Sequence, residues 1–226
     1  MKKINPQLYQ ISVLPRHSIN CFIAEGILFD AGIKCSYHNI KKAIHEKPIT
    51  KHVLTHAHAD HQGSSAQICK EFNIPLFCHK EEVHRTESGL AVSDYPAPTG
   101  IIARFQQKYW AGEGHPVTDT LKEGDLVGNF IVIETPGHSA GHLSFFREDD
   151  GTLIIGDALC NMNLLTTIPG LQLPPYLFTS DQNQNIQSLK KLYDLHPKVI
   201  CFGHGPVLLN TKRQFEKFIE ELDPLR

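Results

Sequence analysis

The sequence predicts an α/β domain built from two β-sheets with helices on their outer faces. Three observations carry this. Short β-branched, aromatic and aliphatic runs come first in pairs. They then alternate with amphipathic segments, and the same order repeats along the 226 residues. A stretch rich in Pro and Gly, residues 87–120, lies between the two regular regions.

Residues 8–14 and 19–29 read as strands, with a turn at Glu25-Gly26. Residues 36–46 place Ile40, Ala43 and Ile44 on one face of a helix that Pro48 ends. Lys51–Leu54 is a short strand running into His56–Gly63; Ser64–Phe72 is helical, Ile74–Cys78 a strand and Lys80–Thr86 a short helix. Residues 87–120 read as irregular, with Pro96, Pro98, Gly100, Gly112, Gly114 and Pro116 around Tyr109 and Trp110. A loop of that length predicts a lid or binding loop. Phe130–Glu134, His142–Phe146 and Leu153–Ile155 read as strands, the last two joined at Asp149-Asp150-Gly151. Residues 161–180 are irregular and apolar; Asp181–Leu195 is an amphipathic helix, Val199–Phe202 a buried strand and Thr211–Leu222 a closing helix. One domain over residues 1–226 is expected, with loop insertions at about 87–120 and 161–180.

Composition narrows the class. With 41% hydrophobic and 20% charged residues the chain can bury a core, which excludes a disordered protein. A net charge of −2 argues against nucleic-acid or polybasic membrane partners. No apolar run follows Lys2-Lys3 as in a signal peptide, and no window spans a bilayer, so a cytoplasmic location is expected. Six cysteines without a C-x-x-C pair read as reduced, mostly buried thiols.

The anomaly is 14 histidines. Thr55-His56-Ala57-His58-Ala59-Asp60-His61 packs three of them and an aspartate together. Their spacing cannot share one helical face, whereas a loop between a strand end and a helix start can turn all four into one cavity. Imidazole with carboxylate suits zinc and related divalent ions. Three later segments, Thr135-Pro136-Gly137-His138, Ile155-Gly156-Asp157 and Phe202-Gly203-His204-Gly205, each set a ligand-type residue between a strand and a glycine turn.

Phe29-Asp30-Ala31-Gly32, THAHADHQG, PGHSAGH, IIGD and CFGHG together resemble the metallo-β-lactamase-fold hydrolase superfamily over nearly the whole chain. The resemblance implies an αββα four-layer sandwich and a binuclear centre. It implies His56, His58 and His138 on one ion, Asp60, His61 and His204 on the other, and Asp157 bridging both. Two divalent ions are expected, Zn2+ first, with Mn2+ or Fe2+ as substitutes. His142, inside PGHSAGH, reads as a support rather than a ligand, as do Asp30 and His79.

The chemistry expected is attack by a metal-bridging hydroxide on an ester, thioester or lactone carbonyl of a small molecule, with Asp60 orienting the nucleophile. Competing readings are a mononuclear-iron persulfide dioxygenase-type enzyme and a metal-binding protein without catalysis. A third is a serine esterase, because Gly137-His138-Ser139-Ala140-Gly141 matches G-x-S-x-G. That elbow needs a helix after Ser139, where the sequence reads as strand. Residues 161–178 could wall an acyl pocket, with Tyr109, Trp110 and Tyr176 beside it, or could contact a second copy in a homodimer.

Overall fold

A computed structural model describes residues 1–222, Lys212 by its backbone alone. The first half runs β1 (Lys2–Asn5), β2 (Leu8–Ser12), β3 (Asn20–Ala24), β4 (Ile27–Phe29), α1 (Tyr37–Glu46), β5 (Lys51–Val53), α2 (Ser65–Phe72), β6 (Leu76–His79), α3 (Val83–Ser88), α4 (Ile101–Tyr109) and β7 (Asp119–Leu121). The second runs β8 (Leu126–Val127), β9 (Phe130–Glu134), β10 (Leu143–Arg147), β11 (Thr152–Gly156), β12 (Cys160–Met162), β13 (Pro169–Gln172), α5 (Gln182–Tyr193), β14 (Val199–Phe202), β15 (Leu208–Leu209) and α6 (Lys212–Glu221).

The strands form a seven-stranded sheet in the order β1-β2-β3-β4-β5-β6-β7 and a six-stranded sheet in the order β15-β14-β11-β10-β9-β8, with β12 and β13 pairing separately. Period-2 alternation explains the layering. Phe22, Ala24, Ile27 and Phe29 of the first sheet meet Phe130, Val132, Phe145 and Ile154 of the second. The alternate residues Cys21, Ile23 and Leu28 face Ile40, Ile44 and Ile68 of α1 and α2. On the far side, Leu153, Ile155 and Ile200 face Leu189, Leu192 and Phe215 of α5 and α6. The result is the αββα sandwich.

At its centre Phe29 meets Phe130 and Phe145 edge-on, with ring centroids 5.3 and 5.0 Å apart. Cutting Phe29 to Ala would cost about 3–5 kcal/mol. Nearby, the buried Arg147 guanidinium lies over the Phe130 ring and pairs with Glu25 at 2.6 Å and Asp150 at 2.8 Å. That pairing ties the two sheets together at the edge away from the site.

The turn expected at Glu25-Gly26 separates β3 from β4. Two stretches expected to be irregular are not wholly so. The stretch 87–120 contains α4 and β7, and 161–180 contains β13 and most of a β12–β13 hairpin. All six cysteines are free and only Cys35 is exposed. No helix among the described residues is long and apolar enough to cross a membrane.

Candidate metal centre

The ligand-type residues sit on turns that follow β5, β9, β11 and β14. Strands β11 and β14 pair in parallel, and β9 and β11 both run antiparallel to β10, so three of these turns leave the second sheet at one edge. The turn after β5 meets them from the first sheet, where Leu143 N–H donates to Thr55 O at 2.8 Å.

Two glycines permit this convergence. A Cβ on Gly203 would lie 2.1 Å from Asp157 Oδ1. Gly156 has φ +57°, and a Cβ there would lie 2.6 Å from His142 Nε2.

Three triads with ligand atoms within 4.8 Å of one another result: His56–His58–His138, His56–His61–Asp157 and Asp60–His61–His204. They share His56 and His61, so the donors form one continuous field. All seven residues are buried.

Hydrogen bonding fixes which nitrogen each ring turns inward. Thr55 donates its N–H to Asp30 Oδ1 and its hydroxyl to Asp30 Oδ2, both at 2.8 Å. The Thr55 oxygen therefore accepts from His56 Nδ1 at 3.0 Å. His61 Nδ1 donates to Asp30 Oδ2 at 2.9 Å. His58 donates from Nε2 to Asp94 at 3.2 Å. Thr179 gives its hydroxyl proton to Pro175 O and accepts from His138 Nδ1 at 3.2 Å. His204 Nδ1 donates to Ser18 O. Each ring thus has one nitrogen anchored and the other, Nε2 in four and Nδ1 in His58, aimed at the shared space. Such anchoring holds a ring in ligating orientation.

The fit to cations is visible in what is left over. Nε2 of His56 is buried without a partner, and Nε2 of His61 and Oδ1 of Asp157, buried 3.4 Å from each other, form an ion-pair contact but no well-aligned hydrogen bond. Burial, then the neighbouring rings, pushes His56 and His138 well below the ordinary imidazole value, which leaves neutral lone pairs. Burial also disfavours charge on His61 and His204, yet the carboxylates of Asp157, Asp30 and Asp60 hold both well above it. Burial raises Asp60, but hydrogen bonding and charge from His204 bring it down to about 2. Without ions, protons on His61 and His204 serve the carboxylates; a divalent cation fits that donor set better, and imidazole with carboxylate suits it chemically.

His142 is placed differently. Asp157 N–H donates to His142 Nε2 at 3.0 Å, so His142 Nδ1–H donates to Thr135 Oγ1 at 2.7 Å. Both nitrogens are occupied, and the ring holds the Asp157 backbone. His79 contacts Glu81 and Glu134 instead. Ser139 is buried, donates to Glu82 Oε1 at 2.8 Å and precedes strand β10, so no nucleophile elbow forms.

Sequence reasoning missed a network behind the ligands. The fully buried Glu82 accepts from Ala57 N–H at 2.8 Å, Ser139 Oγ and Gly141 N–H at 2.9 Å, joining the THAHADH and PGHSAGH turns. Arg85 pairs with Glu82 and, at 2.8 Å, with Asp94, which receives His58. The Glu-x-x-Arg spacing on one helical face was the available signal.

Five of the donors, His58, Asp60, His138, Asp157 and His204, floor a cavity of about 360 Å³, with His56 and His61 behind them. Of the three aromatics singled out in the sequence, Trp110 lines it, whereas Tyr109 and Tyr176 do not. Tyr109 stacks on Phe105 along the outer side of α4, and Tyr176 is 74% exposed on a short turn. Tyr95, which the sequence did not single out, takes a wall position with its ring 4.7 Å from that of His58.

Known proteins share this arrangement of elements. YflN of Bacillus subtilis (strain 168), a probable metallo-hydrolase, is 28% identical over 186 residues, 75% of this chain and 69% of its own. A hydroxyacylglutathione hydrolase of Nitrosomonas eutropha is 27% identical over 76% of this chain and 52% of its own length. Among solved structures, TTHA1623 in a di-iron-bound form superposes with a TM-score of 0.70 at 22% identity, covering 91% of this chain and 98% of that one. The class B3 di-zinc metallo-beta-lactamase LRA-12, from an Alaskan soil metagenome, gives 0.68 at 17% identity, covering 98% and 90%. These structural likenesses show the fold. The profile of the metallo-beta-lactamase superfamily matches residues 14–204, a span that takes in every one of these donors, and the chain belongs to that superfamily.

Proposed function

We propose that the protein is a hydrolase that uses two divalent ions, Zn2+ by preference, to cleave an ester, thioester or lactone of a small molecule. The observation that supports it is the inward-facing nitrogen on each of five anchored imidazoles, set around two carboxylates. His56, His58 and His138 would hold one ion, Asp60, His61 and His204 the other, with Asp157 between them. Its Oδ2 lies 2.9 Å from His204 Nε2 and 3.7 Å from His138 Nε2, and its Oδ1 3.4 Å from His61 Nε2. The relationship to a hydroxyacylglutathione hydrolase favours the thioester among the three bonds.

Such ions supply a water activated at neutral pH and a Lewis acid for the carbonyl oxygen. The chain's own residues do the rest. Asp60 lines the cavity with an ionised carboxylate that accepts a hydrogen bond and orients the attacking water. Tyr95 offers a phenol O–H from the wall to a substrate oxygen. His142 keeps Asp157 in place through its backbone N–H.

Metal analysis of the purified protein, followed by a panel of esters, thioesters, lactones, β-lactams and phosphodiesters, tests this reading. Two metal equivalents per chain and chelator-sensitive turnover of a carbonyl substrate are expected. A single iron with oxygen uptake on a persulfide would replace it.

A further inference from the structure

We propose that the outer part of the cavity binds an uncharged acyl chain, so that the substrate is a neutral medium-chain acyl ester, thioester or lactone. The inference rests on the hydrolase reading for the bond cleaved, but not for the binding.

Beyond the donor floor, the walls are Leu14, Ile102, Trp110, Leu164, Leu165 and Phe178, with their neighbours of similar kind. The polar side chains that line it besides the donors, Ser18, Gln106 and Tyr95, are neutral, and among the described residues no lysine or arginine lines it. The sequence arranges this on α4 by helical spacing. Ile102, Gln106 and Trp110 recur every fourth residue toward the cavity, whereas Arg104 and Lys108 line a separate hollow. The nearby cations are already engaged. Arg85 is paired with Glu82 and Asp94, Lys34 donates to Lys108 O, and Arg16 donates to Thr167 at 2.8 Å outside the lining.

At the mouth, Ile102 is 49% and Leu165 95% exposed. Both stand where an alkyl chain entering the cavity would cover them, which removes apolar surface from water. A carboxylate carried inward between the apolar walls would lose its hydration and find no lysine or arginine beside it. Anionic acyl donors are therefore discriminated against.

The single tryptophan of the chain, Trp110, reports on the wall directly. Octanamide should change its fluorescence saturably, and the monoamide of suberic acid, identical but for a terminal carboxylate, should bind at least about tenfold more weakly. No change with octanamide, or equal binding of the two, overturns the proposal. In parallel, kcat/KM for neutral p-nitrophenyl esters from acetyl to decanoyl should rise about fourfold per methylene (~0.8 kcal/mol) until the cavity is full. Ile102→Asp and Leu165→Asp, at exposed positions that tolerate substitution, should lower the octanoyl-to-acetyl ratio by about tenfold, the loss of one or two such methylenes. A flat chain-length profile in an active enzyme overturns this inference and spares the hydrolase reading. Octanamide binding with no ester hydrolysed by metal-replete protein does the reverse.

Discussion

At the floor of the cavity each imidazole spends one nitrogen on a fixed partner, and a fully buried glutamate braces two of the turns that carry them. At its mouth, Ile102 and Leu165 stand largely in water on a helix and a hairpin tip. The difference separates two jobs. Holding cations demands donors fixed in place, which buried hydrogen bonds supply. Choosing a substrate demands only a surface of the right polarity, which exposed side chains supply without cost to the framework.

Four measurements would break or sharpen that contrast. Asp157→Ala should have the largest effect: it removes the carboxylate that lies among His61, His138 and His204, so bound metal should fall below one equivalent and turnover to background. Near-normal metal content in that variant would mean the floor does not work as one unit. Glu82→Ala should come next. It leaves Arg85 with Asp94 as its one carboxylate partner, orphans the three donors from Ala57, Ser139 and Gly141, and should cost about 3–5 kcal/mol of stability in denaturant titrations. Metal affinity, read by competition with a chelator, should fall about 10–100-fold in the same variant.

Third, the buried part of the first sheet has a pH signature. Burial brings the His52 ring, which contacts Leu28 O and Ser65, down to about 4 from the usual 6.5. The unfolded chain therefore takes up a proton that the fold refuses. Stability should be whole above about pH 6.5 and drain as pH falls toward 4, losing roughly 2 kcal/mol from this ring between pH 7 and 5. His52→Gln should flatten that difference. Smallest of all, Leu165→Asp should leave metal content unchanged and stability within about 0.5 kcal/mol. A larger loss would show that the mouth belongs to the framework after all.

The same contrast decides what could be read from the sequence. The floor was legible because ligation requires His and Asp at spacings no helical face allows, with glycine beside them. The paired strands and α1, α2, α5 and α6 followed from periodicity to within about two residues. The rest had weaker signals. Strands β1, β7, β8, β13 and β15 have two to four residues each, too few for alternation to register. α4 hid because prolines and glycines crowd around it, although the run from 101 to 111 contains neither. Its buried face includes Ala103 and Gln106, which carry little apolar pattern. Glu82 left only its i, i+3 spacing to Arg85 as a signal, and Asp94 and Tyr95 left none, because their roles arise from tertiary approach.

The donors come from both sheets: His56, His58, Asp60 and His61 follow β5, whereas His138, Asp157 and His204 follow β9, β11 and β14. The seam between them is stitched by few backbone bonds, among them Leu143 N–H to Thr55 O and Asn20 N–H to Gly203 O at 2.9 Å. Ions bound across that seam would act as rivets between the two halves of the sandwich. Neither half alone holds the full donor set, so folding and loading become one linked equilibrium. Free metal at a hundred times its dissociation constant would add about 2.7 kcal/mol to the stability of the whole. The supply of metal in the surroundings would then govern how much protein survives, as well as how much of it works.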